Sequence, residues 1–271
     1  MEKAVSAVCL ETKRVVKPWG RTEIGAFPNP SQEQVGEIWF DGPDGRHPPL
    51  LVKYIFTSEK LSIQVHPTDE QARGVGLPGG KSECWYILDA QPGATLGIGT
   101  TRPLDDDVLR ASALDGTLEE LMDWKPVQPG SFFYIPAGTV HAIGAGVTLV
   151  EVQMNNDVTY RLFDYGRPRE LHLDAGVAVS DARPYPMPER VIPTNLDSAL
   201  LDRGAAPFAL DMCCWMAGHT QSLSVEQGWF IPLSGSGTID GRAWRAHECW
   251  LVEGDVAVTA DDDASVLIAT V

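Results

Sequence analysis

Glycine and proline constrain this chain more than any other feature. Among its 271 residues are 26 Gly and 20 Pro, spread along the whole length. Between them lie short runs rich in Val, Ile, Tyr, Phe and Trp, clearest at residues 50–56, 61–65, 84–88, 131–135 and 147–152. Apolar, β-branched and aromatic runs of this length, closed by turn formers, predict strands. Many short strands with frequent turns predict a sandwich or barrel, so the fold class is all-β dominated. Two stretches differ. Residues 104–124 space Leu104, Val108, Leu109, Leu114, Leu118 and Leu121 roughly as a helix does, with a break near Gly116. There, Thr117 and Glu120 have the spacing of a capping box. Residues 171–179 predict a second short helix.

Residues 183–193 carry Pro184, Pro186, Pro188 and Pro193, the composition of an extended linker. This divides the chain into residues 1–182, with a helical insertion near 102–124, a linker at 183–194, and a second β unit at 195–271. The second unit reads as a degraded copy of the first. Trp229-Phe230-Ile231-Pro232 echoes Trp85-Tyr86-Ile87-Leu88, and Gly254-Asp255 echoes Gly130-Ser131.

The formal charge of −16 disfavours nucleic acid and anionic membrane surfaces, both of which need concentrated Lys and Arg. No apolar run approaches the roughly 20 residues of a membrane span. Residues 1–9 lack the basic start and apolar stretch of a secretory signal. Five cysteines (Cys9, Cys84, Cys213, Cys214 and Cys249) with no Cys-x-x-Cys pair argue against a disulfide framework or a thiolate metal site. A cytoplasmic location is expected. The acidic triplets at 105–107 and 261–263 read as solvated faces.

Chemistry points to four residues. Gln64 and His66 alternate on one predicted strand, so they share a face about 7 Å apart. Glu83 enters another strand after a Gly-rich loop. His141 follows a Pro136-x-Gly138 turn. Two imidazoles, a carboxylate and a carboxamide suit a borderline or hard divalent cation. The second unit has no such set, whichever of its two echoes is used for counting. His47, His172, His219 and His247 read as non-ligands.

Gly130-x5-Pro136-x-Gly138-x2-His141 resembles the second cupin motif. Gln64-Val65-His66 with downstream Glu83 departs from the usual His-x-His of the first, as mannose-6-phosphate isomerases do. Lys17-Pro18-Trp19-Gly20, Lys81-Ser82-Glu83-Cys84-Trp85-Tyr86, Thr159-Tyr160-Arg161-Leu162-Phe163-Asp164-Tyr165 and Arg169-Glu170-Leu171-His172 extend the resemblance to the short bacterial type I form. It covers residues 15–180 well and the remainder weakly. The resemblance implies two tandem cupin (jelly-roll β-barrel) domains, the second degenerate. It also implies one zinc ion per chain on Gln64, His66, Glu83 and His141, with Lys81, Glu151 and Arg161 in the substrate site. The implied reaction interconverts mannose 6-phosphate and fructose 6-phosphate through an enediol, with Lys81 and Glu151 both candidates for the base. A sugar phosphate is the expected partner, with a homodimer as one admissible assembly. Two other readings stay open: a non-catalytic sugar-phosphate-binding regulatory cupin, and an iron-dependent oxygenase.

Overall fold

A computed structural model describes residues 7–271; the N-terminal sequence reading falls partly on residues 1–6, outside that range. The fold is all-β dominated, as the turn pattern predicts, and the strands of the described residues form three antiparallel sheets. Among the described residues no helix is long and apolar enough to cross a membrane.

The first half pairs two sheets. One has seven strands in the order Arg190–Val191, Ser131–Ile135, Glu83–Ala90, Val147–Met154, Leu50–Phe56, Val35–Asp41 and Glu11–Arg21. The other has five, in the order Tyr160–Phe163, Ile63–Val65, His141–Ile143, Thr95–Thr100 and Met122–Pro126. Between them lies an apolar core that includes Ile55, Trp85, Phe133 and Leu149 from the first sheet and Ile98 and Ile143 from the second. Helices Asp106–Asp115, Leu118–Leu121 and Leu173–Val179 sit in a separate cluster with Ile63, Val140 and Leu162, on the outer side of the five-stranded sheet.

Gly116 ends helix Asp106–Asp115 in the left-handed region at φ 88°, which explains the break in the helical spacing. The expected capping box at Thr117 does not form. Its hydroxyl donates to Asp115 (2.6 Å), because the left-handed turn aims it back toward the preceding helix. Asp105, expected to be merely solvated, caps helix Asp106–Asp115 by accepting from Val108 N (2.8 Å). The proline-rich stretch is extended but not free. Arg190–Val191 pairs with Ser131–Phe132 as an edge strand, and Tyr185 donates its hydroxyl to the Tyr134 carbonyl.

The second half is an eight-stranded sheet that closes around Phe230, Trp244, Trp250, Val258 and Val266. Its strands Trp250–Ala260, Thr220–Pro232, Ala264–Thr270, Ala209–Trp215 and Ser198–Leu201 lie side by side in the order that Ser131–Ile135, Glu83–Ala90, Val147–Met154, Leu50–Phe56 and Val35–Asp41 take in the first. The internal copy is therefore topological. Its register differs by one residue from the sequence echo. Trp85 points into the first interior, whereas Trp229 points out, so Phe230 is the counterpart of Trp85. A one-residue slip along a strand changes faces. Gly130, whose N–H bonds the Ile87 carbonyl at φ 87°, is matched by His247, whose N–H bonds the Pro232 carbonyl at φ 68°, rather than by Gly254.

The halves share a core. The outward face of the seven-stranded sheet (Val52, Tyr54, Tyr86) packs with Leu210, Trp229 and Leu251 of the second half. That sheet is thus buried on both faces, and Leu50–Phe56 is buried at every position. Ala7–Cys9 pairs with Trp250–Val252 and so lies on the second half's sheet.

Candidate metal centre

Two rows of side chains face each other across the mouth of the first half. On the five-stranded sheet, Gln64 is in direct register with His141 on one side and Arg161 on the other. On the seven-stranded sheet, Glu151 is in register with Lys53 and Trp85, and Glu83 enters the same sheet two residues before Trp85. Paired residues in an antiparallel ladder project to the same side, so each row is aimed as a unit.

Loop chemistry brings the rows together. Gly80 lies so close to Pro67 and Thr68 that a Cβ there would meet backbone at 2.4 Å, which only glycine permits. That contact seats Lys81 and Glu83 beside His66. Gly138, at φ 90°, donates its N–H to the His66 carbonyl (2.7 Å) and ties the His141 turn to the Gln64–His66 strand.

His66, Glu83 and His141 converge, with candidate ligand atoms all within 4.8 Å of one another, and all three are buried. His66 Nε2 stands 3.4 Å from Glu83 Oε2, and His141 Nε2 stands 3.5 Å from Glu83 Oε1. Each imidazole is oriented from behind. His66 Nδ1 donates to the Val158 carbonyl and His141 Nδ1 to the Thr139 carbonyl, both at 2.8 Å. A carbonyl can only accept, so Nδ1 carries the proton and each Nε2 lone pair faces the cluster. Glu83 Oε1 is buried without a hydrogen-bond partner, an arrangement that costs free energy unless a cation satisfies it. The cluster is able to hold a metal ion.

Electrostatics favour the deprotonated ligand set. Burial, then the neighbouring Lys81 ammonium, push His66 down to about 3. Burial also lowers His141. Burial alone would raise Glu83, but Lys81 and His66 hold it well below the usual carboxylate range. Lys81 donates to Glu83 Oε2 and contacts His66 Nε2 (3.2 Å). Burial would lower Lys81, yet Glu83 and Glu151 together raise it. Gln64 meets the cluster through its amide, with Nε2 3.3 Å from His141 Nε2 and Oε1 3.3 Å from Ser62 Oγ.

The remaining expected residues line the adjoining pocket. Glu151 accepts from Lys53 at Oε1 and from Trp85 Nε1 at Oε2, both at 3.0 Å. Arg161 donates to the Glu170 carbonyl (2.6 Å) and leaves its Nε buried and unpartnered. Its backbone N–H bonds His172 Nδ1 (3.1 Å), so His172 is a support for Arg161 and not a ligand. Lys81, Glu151, Arg161 and Gln64 all line one pocket, with Lys17, Glu37, Lys53 and Arg169. Of these last four, Glu37 and Lys53 escaped the sequence reading, while Lys17 and Arg169 stand in motifs that carry the resemblance but were given no role in the site. Lys53 carried a usable signal: it is the one charge in Leu50-Leu51-Val52-Lys53-Tyr54-Ile55-Phe56.

No protein-family model matches this chain. Mannose-6-phosphate isomerase ManA of Bacillus subtilis (strain 168) is 40% identical over 166 residues, covering 56% of this chain and 52% of that protein. This chain spans about half the length of the curated relatives it matches. The crystal structure of mannose 6-phosphate isomerase from Bacillus subtilis superposes with a TM-score of 0.77 at 24% identity, over 98% of this chain and 100% of that one. A zinc-bound mannose 6-phosphate isomerase superposes at 0.72 and 14% identity, over 98% and 99%. In sequence over about half its length, and in fold over nearly all of it, the chain resembles the mannose-6-phosphate isomerases.

Proposed function

We propose that the chain is a metal-dependent aldose–ketose isomerase that interconverts mannose 6-phosphate and fructose 6-phosphate. The observation that carries this reading is the junction of two things in one pocket. A buried His–Glu–His cluster has an orphaned carboxylate oxygen, and beside it stand a carboxylate, an ammonium and a guanidinium. His66, Glu83 and His141 would hold the ion. Gln64 would join them after a flip of its amide that turns Oε1 toward the cluster. The donor set fits zinc, the ion bound in a structural relative. When bound, the metal supplies Lewis acidity at a sugar oxygen.

The reaction moves a proton between C1 and C2. A C–H beside a carbonyl is a weak acid, so negative charge on the oxygens must be stabilised and a base placed near the carbon. Lys81 and Arg161 supply positive charge from two sides of the pocket. The Arg161 guanidinium, with its free Nε, suits an oxyanion or a phosphate oxygen. Glu151 is the carboxylate positioned to carry the proton: Lys81 is engaged with Glu83, while Glu151 remains open toward the pocket beyond its two donors.

The domain reading follows: residues 1–182 would form the catalytic cupin unit and residues 195–271 a degenerate one, with Ala7–Cys9 lent to the second sheet. Five free thiols fit a reducing compartment such as the cytoplasm. The test is conversion of mannose 6-phosphate to fructose 6-phosphate by metal-analysed protein, with and without chelator. Full activity in metal-free protein, or no product from metal-loaded protein, rejects the reading.

A further inference from the structure

Among the charged residues of the pocket that the reaction scheme leaves unused, Lys53 and Glu37 are the most buried, and Lys53 is the one that touches Glu151. Lys53 stands mid-strand among six apolar neighbours and is 8% exposed. A buried ammonium costs several kcal/mol unless paired, so an aliphatic residue would be the ordinary occupant. The pairing is specific. Lys53 Nζ donates to Glu151 Oε1 at 3.0 Å, lies 4.0 Å from Glu37 Oε2, and sits 4.8 Å over the Trp39 ring. Trp39, Lys53, Glu151 and Trp85 are consecutive cross-strand partners on four neighbouring strands. Glu37 is itself held by the Trp39 indole N–H and by Lys17 (3.3 Å). Burial would raise the Glu37 carboxyl, but Lys53 and Lys17 hold it low. The result is an alternating chain, Lys17–Glu37–Lys53–Glu151, that runs from the pocket wall to the proposed proton carrier. It also gives a role to Lys17 of the Lys17-Pro18-Trp19-Gly20 motif.

The geometry points to Lys53 as a positioning residue that fixes the Glu151 carboxylate through its Oε1, while Trp85 fixes Oε2. With both oxygens tethered, the carboxylate plane is locked and one edge faces the pocket. Removing Lys53 frees that plane to rotate about the remaining tether. This inference rests on the isomerase reading for its kinetic arm and on structure alone for its second arm.

The experiment compares zinc-loaded wild type, Lys53→Met, Glu151→Gln and the double variant. If Lys53 acts through Glu151, Lys53→Met lowers kcat up to about 100-fold at unchanged KM and metal content. The double variant then loses no more than Glu151→Gln alone. Losses that multiply, or wild-type kcat in Lys53→Met, overturn the inference. Wild type without sugar-phosphate turnover rejects the isomerase reading instead. Crystal structures of wild type and Lys53→Met then decide the positioning role: a displaced Glu151 carboxylate supports it and an unmoved one overturns it. Should Lys53→Met not fold, Lys53→Arg replaces it in both arms. Turnover must then track the Glu151 position, and reduced kcat with Glu151 in place, or full kcat with Glu151 displaced, overturns the inference.

Discussion

The two halves of this molecule solve the same strand order with opposite contents at the mouth. Where the first half places Trp85, Glu151 and Lys53 in one cross-strand row, the second places Phe230, Ile268 and Asp211. Two residues before the aromatic, Glu83 becomes Gly228. The paired ions and the carboxylate of the His–Glu–His cluster are gone, and the second interior closes over aromatic and aliphatic side chains. Among the described residues, the three-residue cluster of potential ligands occurs in the first half. Strand order alone therefore does not make a site. The loops and the charged rows do.

The contrast can be broken most decisively at the metal. His141→Ala should lose zinc and at least ~1,000-fold of isomerisation, since Lewis-acid stabilisation is worth several kcal/mol. Elemental analysis of wild type should give one ion per chain, and two would return a site to the second half. Next in size is the second interior. Phe230→Ala should cost about 3–5 kcal/mol of stability with metal content retained, read by denaturant unfolding. Arg161→Ala tests the pocket without the metal: zinc stays and kcat falls ~100-fold.

Acid should act on the first half in particular. His66 is depressed to about 3 from an unfolded value near 6.5, and Glu83 is also depressed. Between those values the unfolded chain binds the proton that folded His66 refuses. The metal-free protein should therefore lose stability as pH falls from about 6.5 toward 3, with Glu83 adding to the loss as the pH nears its own low value. Thermal melts across that range check it, and a melting temperature that rises in acid contradicts it. The smallest effect belongs to the surface. Arg46 meets Glu253 at 3.2 Å across the halves, but both side chains are well exposed. Arg46→Ala should cost under about 0.5 kcal/mol.

Much of the first half was legible because its signals are local. The strand runs end at turn formers, Gly116 interrupts a helix, and Gln64, His66, Glu83 and His141 each sit in a short motif. The second row was hidden because its partners are far apart in sequence. Lys53 meets Glu151 through cross-strand register, and Glu37 and Lys17 join through successive ion pairs, which no local pattern states. The repeat was visible in composition but misread by one residue. Trp229 and Trp85 look alike as letters, while the pleat places them on opposite faces. Likewise His247 occupies the left-handed position held by Gly130, a substitution that hides the correspondence from anyone counting glycines.

The pairing of Ala7–Cys9 with Trp250–Val252 bears on how the chain matures. On a ribosome the strand at 7–9 emerges well before its partner at 250–252. The two sheets of the first half can assemble from residues already made, but the strand at 7–9 lacks its partner until residues 250–252 have been synthesised. Its docking is a late, non-local event and closes the fold with one stitch between early and late sequence. A nascent chain stalled before residue 250 should thus carry a nearly finished first half with that strand still accessible to protease.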